Sequence, residues 1–88
     1  MKVKDGFVVR EIGGKSVAVA TGALSRDFHG MITLNGTGRF LFEALQTETD
    51  AETLVKKLMS EYDVDAETAQ KAVTGFVDTL LREGILQT

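Results

Sequence analysis

The chain divides into two halves of different character, and this division constrains the fold more than any other feature. The first half is punctuated by glycine and rich in β-branched residues, whereas the second half has apolar residues at helical spacing and almost no glycine. A strand-forming half followed by a helical half predicts an α+β fold, with helices packed on one side of a small antiparallel sheet. The expected element order is β-β-β-α-α-α.

Three strands are expected in the first half. Phe7 to Ile12 and Ser16 to Ala20 are strand-like runs joined by Gly13-Gly14. A glycine pair between two such runs predicts a tight hairpin, because the favoured turn needs positive φ at both of its central residues. Gly30 to Leu34 is expected to form the third strand, after a polar loop at 21–29.

Three helices are expected in the second half, each with its own start signal. Asn35 is placed as the N-cap of the first helix, and Thr49 opens a capping-box sequence that ends at Glu52. The third helix is expected to begin after the N-cap Asp65, to run to Glu83 and to stop at Gly84, a left-handed C′ cap.

The length and composition limit the class of protein. The 88 residues are enough for one domain, spanning 1–88, and 43% hydrophobic with 26% charged residues is a globular composition. No cysteine is present, so neither a disulfide framework nor a thiolate metal site is available. No apolar run approaches the length of a membrane span. We therefore expect a cytoplasmic protein with no membrane contact.

The charge distribution weighs against nucleic acid as a partner. The net charge is −3, and the ten basic residues are scattered along the chain. Proteins that bind nucleic acid usually concentrate lysine and arginine on one face, because neutralising phosphates supplies most of their affinity.

Residues suited to catalysis are scarce. His29 is the only histidine, and with Asp27 it would give two metal ligands, which are too few for a closed tetrahedral site. Most of the acidic residues of the helical half fall at helix starts, where they complement the helix dipole. We therefore predict a protein that is not an enzyme and that has no metal or cofactor.

The third helix and the third strand carry the features that indicate binding. The apolar or small residues of the helix cover about half its circumference, wider than the roughly 100° stripe of a helix with one core contact. They are Ala69, Ala72, Val73, Phe76, Val77, Leu80 and Leu81. This width fits a central helix that meets both the sheet and the other helices, and it also fits a helix with one flank lining an exposed groove.

The strand at 31–34 is expected to be an edge of the sheet if the strands pair in order. It contains no charged residue and no proline, the residues that usually shield such an edge. Either the preceding loop protects this edge, or a partner adds a strand to it. The added strand could come from a peptide or from a second copy of the chain, which would form a homodimer.

Several segments of the chain together form a pattern of order and spacing. They are Ile32 to Gly38, Leu41 to Leu45, Thr49 to Val55, Tyr62 to Asp65, and the positions Val73, Phe76, Val77, Leu80, Leu81, Gly84, Ile85 and Leu86. This pattern resembles that of the PqqD family, named for coenzyme PQQ synthesis protein D. One departure is Phe42, where the family often has tryptophan, and others are the two glycines of the turn at 36–38.

This resemblance implies a winged-helix-like fold and a function. The family recognises the leader segment of ribosomally made, post-translationally modified peptides, binding it as an added strand against the third helix. It presents that leader to a modifying enzyme, which in coenzyme PQQ biosynthesis is a radical SAM enzyme. The implied peptide-binding residues are Met31, Ile32, Thr33, Leu34, Val73, Phe76, Val77 and Leu80.

Two alternatives stay open at the level of sequence. Winged-helix proteins often place their third helix in the DNA major groove, but here the polar positions of that helix mix cations with acids. The second alternative is a self-associating interaction domain that pairs through the same open edge.

Overall fold

The protein folds around a three-stranded antiparallel sheet and three helices, as seen in a computed structural model that describes residues 1–21 and 31–87. The elements are β1 (Lys2–Val3), β2 (Phe7–Ile12), β3 (Lys15–Ala20), β4 (Met31–Leu34), α1 (Gly36–Ala44), α2 (Ala51–Glu61), α3 (Ala66–Arg82) and β5 (Leu86–Gln87). The three predicted strands and three predicted helices are all present. The loop predicted at 21–29, apart from Thr21, lies outside the described residues, and so does Gly30, the first residue of the predicted third strand.

The sheet has the order β2-β3-β4, with β3 in the centre. The hairpin between β2 and β3 turns at Gly13 and Gly14, which have φ angles of 60° and 79°. Both glycines therefore adopt the left-handed conformation that a tight two-residue turn requires, and the hairpin prediction is confirmed. β3 then pairs antiparallel with β4, with Ala18 opposite Ile32.

A second, two-stranded sheet was not expected from the sequence. β1 pairs antiparallel with β5, with Val3 opposite Leu86. The amide of Val3 also donates to the carbonyl of Leu45 (2.8 Å), just after α1. These bonds fasten the first residues of the chain to the end of α3 and the end of α1.

Two of the three predicted helix starts are confirmed, and one is wrong by a residue. The side chains of Asn35 and Asp65 accept hydrogen bonds from the third amides of α1 and α3. In α2 the N-cap is Asp50 instead of Thr49: the Asp50 carboxylate accepts from the amide of Thr53 at 2.7 Å. Thr49 lies one residue before the cap, where its amide donates to the carbonyl of Met1 (3.0 Å) and its carbonyl accepts from the Met1 amino group (2.8 Å).

The end of α3 follows the sequence prediction closely. The helix ends at Arg82, Glu83 is its C-cap, and Gly84 takes a φ of 72°. That left-handed residue reverses the chain, so that Ile85 and Leu86 return to the core, where they are 0% and 6% exposed.

The hydrophobic core lies between the three-stranded sheet and the helices. The edge-to-face pair of Phe7 and Phe42, with ring centroids 6.4 Å apart, joins the two layers. The arrangement is the expected α+β, winged-helix-like fold. The buried core consists of Val3, Phe7, Ala18, Ala20, Leu34, Leu41, Phe42, Leu45, Leu54, Leu58, Ala69, Val73, Leu80, Ile85 and Leu86.

Candidate functional site

β4 is an edge of the three-stranded sheet in the described part of the chain, as the sequence predicted. Its four residues carry no charge and no proline. An edge of this kind offers a row of backbone donors and acceptors that another strand can pair with.

The register shows which backbone groups of β4 face outward. Ile12 and Lys15 flank the two-residue turn and form a hydrogen-bonded pair. Because hydrogen-bonding direction alternates along a strand, the backbone amides and carbonyls of Lys15, Val17 and Val19 point toward β2. Ala18 therefore points toward β4, where it meets Ile32. By the same alternation, the amide and carbonyl of Thr33 point away from β3. Within residues 1–21 and 31–87 they have no backbone partner.

The side chains of β4 alternate between two faces. Ile32 and Leu34 face the helices: Ile32 is half-buried against the core, and Leu34 is 5% exposed. Thr33 is exposed on the opposite face. A strand added along β4 would place every second side chain on the helix side, next to Ile32 and Leu34.

A groove of about 460 Å³ opens where β4 ends, between the start of α1 and one flank of α3. We call it the α1–α3 groove. A volume of this size lies within the range of small-ligand sites. It is lined by Asn35, Thr37, Gly38, Leu41, Lys71, Ala72, Gly75, Phe76 and Thr79.

Phe76 connects the groove to β4. A Cβ placed on Gly38 would lie 3.3 Å from Cε1 of Phe76 and 3.8 Å from Cδ2 of Leu34. The ring of Phe76 therefore rests on the backbone of α1, beside the last side chain of β4. A side chain at position 38 would require the ring of Phe76 to move by a few tenths of an ångström.

The four α3 residues expected to bind a peptide occupy three different environments. Phe76 is half-buried and lines the groove, while Val77 is half-buried and does not line it. Val73 and Leu80 are 1% and 0% exposed, so they support the flank from beneath.

Four groove residues on α3 were not among the residues expected to bind the peptide: Lys71 at the rim, and Ala72, Gly75 and Thr79. The last three, with Phe76, follow the spacing i, i+3, i+4, i+7 of a single helix flank. That spacing groups them on one flank in the sequence, but it does not show that this flank borders a groove.

Charges on α3 do not form a surface for nucleic acid. Lys71, at the rim of the groove, pairs with Glu67 at 3.3 Å, and both side chains are almost fully exposed. The charged residues of α3 alternate in sign along the helix. Its exposed polar residues are Glu67, Thr68, Gln70, Lys71, Thr74, Asp78 and Arg82. Without a cationic stripe, this helix lacks the electrostatic footprint of a DNA-binding helix.

The described residues offer neither a metal site nor a membrane span. No group of three or more histidine, cysteine or acidic residues is close enough to hold a metal ion within 1–21 and 31–87. Asp27 and His29 lie outside the described residues. In the same ranges no helix is long and apolar enough to cross a membrane.

The opposite edge of the sheet, β2, is bordered by charges. The Arg39 guanidinium donates from Nη1 to Oε1 of Glu11 (2.7 Å) and to Oγ of Ser16 (3.1 Å), and from Nε to Oε1 of Glu43 (3.2 Å). The hydrogen bonds to Glu11 and then to Glu43 raise the pKa of Arg39 above its usual value. We call these four residues the β2 seam, which ties the hairpin to α1.

Comparison with protein families gives a match over residues 23–86 to the family described as coenzyme PQQ synthesis protein D (PqqD). The chain belongs to the PqqD family. The resemblance recognised in the sequence is thereby confirmed, and the match includes β4, all three helices and the α1–α3 groove. No curated protein sequence matches this chain.

A solved structure shares the fold of this PqqD-family chain. It is described as "TbiB1 in Complex with the TbiA(beta) Leader Peptide". The TM-score is 0.75 at 22% sequence identity, and the match covers 99% of this chain and 95% of that chain. At this identity the likeness shows the fold, and the leader peptide in the description is a property of TbiB1.

Proposed function

We propose that this chain is a recognition module for the leader segment of a ribosomally made precursor peptide. The observation that carries the proposal is the uncharged edge of β4, with the backbone groups of Thr33 facing outward. The α1–α3 groove at the end of that edge supports it further. Membership of the PqqD family and a shared fold with a leader-peptide complex agree with this function.

The leader would bind as a fourth strand along β4. Its backbone would exchange hydrogen bonds with Thr33 and Met31, and alternate side chains would lie beside Ile32 and Leu34 on the helix side. Because Asn35 both follows β4 and lines the groove, a strand that continues past Leu34 would deliver its next helix-side residue into the groove.

The expected binding residues divide into contact and support residues in this arrangement. Phe76 and the four residues of β4 would contact the peptide. Val73 and Leu80 would hold the helix in place from within the core, since they have almost no exposed surface. Val77 would lie on the flank of α3 that the peptide does not reach.

The role of the module would be delivery. Residues 1–88 would act as one non-catalytic domain that holds the leader while a separate enzyme modifies the rest of the precursor. That partner would be a radical SAM enzyme or another peptide-modifying enzyme of the cytoplasm, in coenzyme PQQ biosynthesis or the synthesis of a related modified peptide. Pairing of two copies through β4 would compete with the leader for the same edge.

Titration of the ¹⁵N-labelled protein with the leader of the precursor peptide encoded beside its gene tests this proposal. We expect amide shifts concentrated at residues 31–35 and 72–79. The same titration with a scrambled leader is the control, and it should give no saturable shift. Absence of binding at high micromolar leader concentration would contradict the proposal, and so would amide shifts scattered away from these two segments.

A further inference from the structure

Gly75 is an unusual residue for its position. It lies in the interior of α3, a 17-residue helix, and it is exposed. Glycine is among the weakest helix formers, because its backbone loses the most conformational freedom on folding. A glycine in the middle of an exposed helix flank therefore needs a reason.

Neither the backbone nor the internal packing supplies that reason. Gly75 is not among the glycines with positive φ, so its backbone conformation is open to any residue. A Cβ placed on Gly75 would meet no other atom within 4 Å, whereas one on Gly38 would lie 3.1 Å from Oδ1 of Asn35 and 3.3 Å from Phe76. Packing explains the glycine at 38, and it leaves the glycine at 75 unexplained.

The place of Gly75 in the α1–α3 groove supplies the missing explanation. Ala72 lies on the same flank one turn earlier, and Thr79 lies there one turn later. The hydroxyl of Thr79 donates to the carbonyl of Gly75 at 2.9 Å, so its polar end is turned back onto the helix. Phe76 is thus the one large apolar side chain that α3 contributes to the lining of this groove.

We propose that Gly75 sets the size of the peptide side chain that the α1–α3 groove accepts. Without a Cβ at position 75, a bulky apolar side chain can lie against the backbone of α3 beside the ring of Phe76. The floor it would meet is apolar, formed by Leu41 and Ala72. This inference rests on the proposed function and adds a preference: the leader carries a large apolar residue where it enters the groove.

Substitutions at position 75 separate this role from a structural one. Gly75→Ala should raise the midpoint of thermal unfolding by about 4–8 °C, because alanine is the better helix former and its Cβ meets no neighbour. The same variant should bind the leader of the neighbouring precursor about threefold to tenfold more weakly, a loss of one well-packed contact. A change that stabilises the fold and weakens binding cannot come from damage to the fold.

A larger substitution and a matched control sharpen the test. Gly75→Leu should weaken leader binding by more than about tenfold, because the leucine side chain would occupy the part of the groove where the peptide side chain would lie. Thr74→Leu adds the same side chain one residue away, on a flank outside the groove, and should leave affinity within about twofold. Alanine substitution along the leader identifies the leader residue that enters the groove. A leader with alanine at that position should bind the Gly75→Leu variant and the wild type equally well.

The outcomes distinguish the two proposals. If the wild type binds the leader and Gly75→Leu, folded by circular dichroism, binds it equally well, the size limit is wrong while the recognition function stands. If the wild type does not bind the leader, the proposed recognition function is wrong, and the proposed role of Gly75 is wrong as well.

Discussion

The two edges of the sheet, β2 and β4, differ in how they are bordered. Both pair with β3 and both leave alternate backbone groups facing outward. β2 carries Arg10 and Glu11 and is tied by the β2 seam to α1. β4 carries no charge and ends at an open groove.

This difference matters because every edge strand offers the same kind of unpaired backbone amides and carbonyls, whatever its side chains are. What decides whether a partner can pair with it is the surface beside it. Charges along β2 must be desolvated before a strand can dock there, whereas the helix-side surface beside β4 is apolar and includes Ile32, Leu34 and Phe76. If the proposed function holds, the chain would direct strand addition to β4.

Proline substitution at the two edges should give the largest contrast. Thr33→Pro removes an outward amide from β4 and places a ring in the path of an added strand, so leader affinity should fall by more than about tenfold. Glu11→Pro makes the equivalent change on β2, where the outward amide is also free of the ladder, and affinity should stay within about twofold. Isothermal titration calorimetry measures both.

Circular dichroism and thermal unfolding of the two proline variants provide the control. Both should fold, because proline at an outward edge position removes no ladder hydrogen bond. Equal loss of binding in both variants would contradict the distinction between the edges.

Truncation of the aromatic side chain beside β4 should have the next largest effect. Phe76→Ala should weaken leader binding about tenfold and lower the free energy of unfolding by about 1–3 kcal/mol, less than for a fully buried ring. Val77→Ala, on the neighbouring flank, should cost about 1 kcal/mol of stability and leave binding unchanged. If Val77→Ala is the variant that loses binding, the peptide lies on the other flank of α3.

Lowering the pH should weaken the start of α3, the helix that lines the candidate site. The pKa of Asp65 lies below its usual value of 3.8 because Thr68 donates to its carboxylate, through the hydroxyl and then the amide. A lowered folded-state pKa contributes stability that is present above pH 3.8 and is lost as the pH falls through the folded-state value. Urea unfolding across this range should show a shallower loss for Asp65→Asn, since asparagine caps without titrating.

Asp50 provides the internal comparison for the acid prediction. Its pKa is lowered by the amide and then the hydroxyl of Thr53, so its contribution has the same sign and pH window. Asp50 begins α2, away from β4. Asp50→Asn should therefore reduce acid sensitivity without any effect on leader affinity at neutral pH. A drop in affinity in Asp50→Asn would indicate that α2 takes part in binding.

The smallest effect is expected from the β2 seam. Arg39→Gln removes the bonds to Glu11 and Glu43, but all three side chains are substantially exposed, and exposed ion pairs contribute little. The unfolding midpoint should change slightly, the change should shrink at high salt, and leader affinity should not change. Loss of affinity in Arg39→Gln would place the peptide on the β2 side.

Local features of the fold were predictable because their chemistry is contained in a few neighbouring residues. The turn at Gly13-Gly14 needs positive φ at both positions, and Asn35 and Asp65 lie where a side chain can accept from the third amide of a helix. The start of α2 was missed by one residue because Thr49 and Asp50 are both capable caps. In the structure the backbone of Thr49 is hydrogen-bonded to Met1, a contact far away in sequence that local spacing does not reveal.

Features that depend on distant parts of the chain could not be predicted. β1 and β5 are two residues long, too short for any periodicity, and they pair across almost the whole sequence. The edge at β4 followed from strand order alone. The flank of α3 that borders the groove did not, since helical spacing shows an apolar stripe without showing that Phe76 meets Gly38.

Hydrogen exchange of two backbone amides tests the central claim most directly. Both Thr33 in β4 and Glu11 in β2 have amides that face away from β3. With the leader of the neighbouring precursor at saturation, we predict that the Thr33 amide exchanges at least about tenfold more slowly while the Glu11 amide is unchanged. Protection of Glu11 with no change at Thr33 would contradict the account.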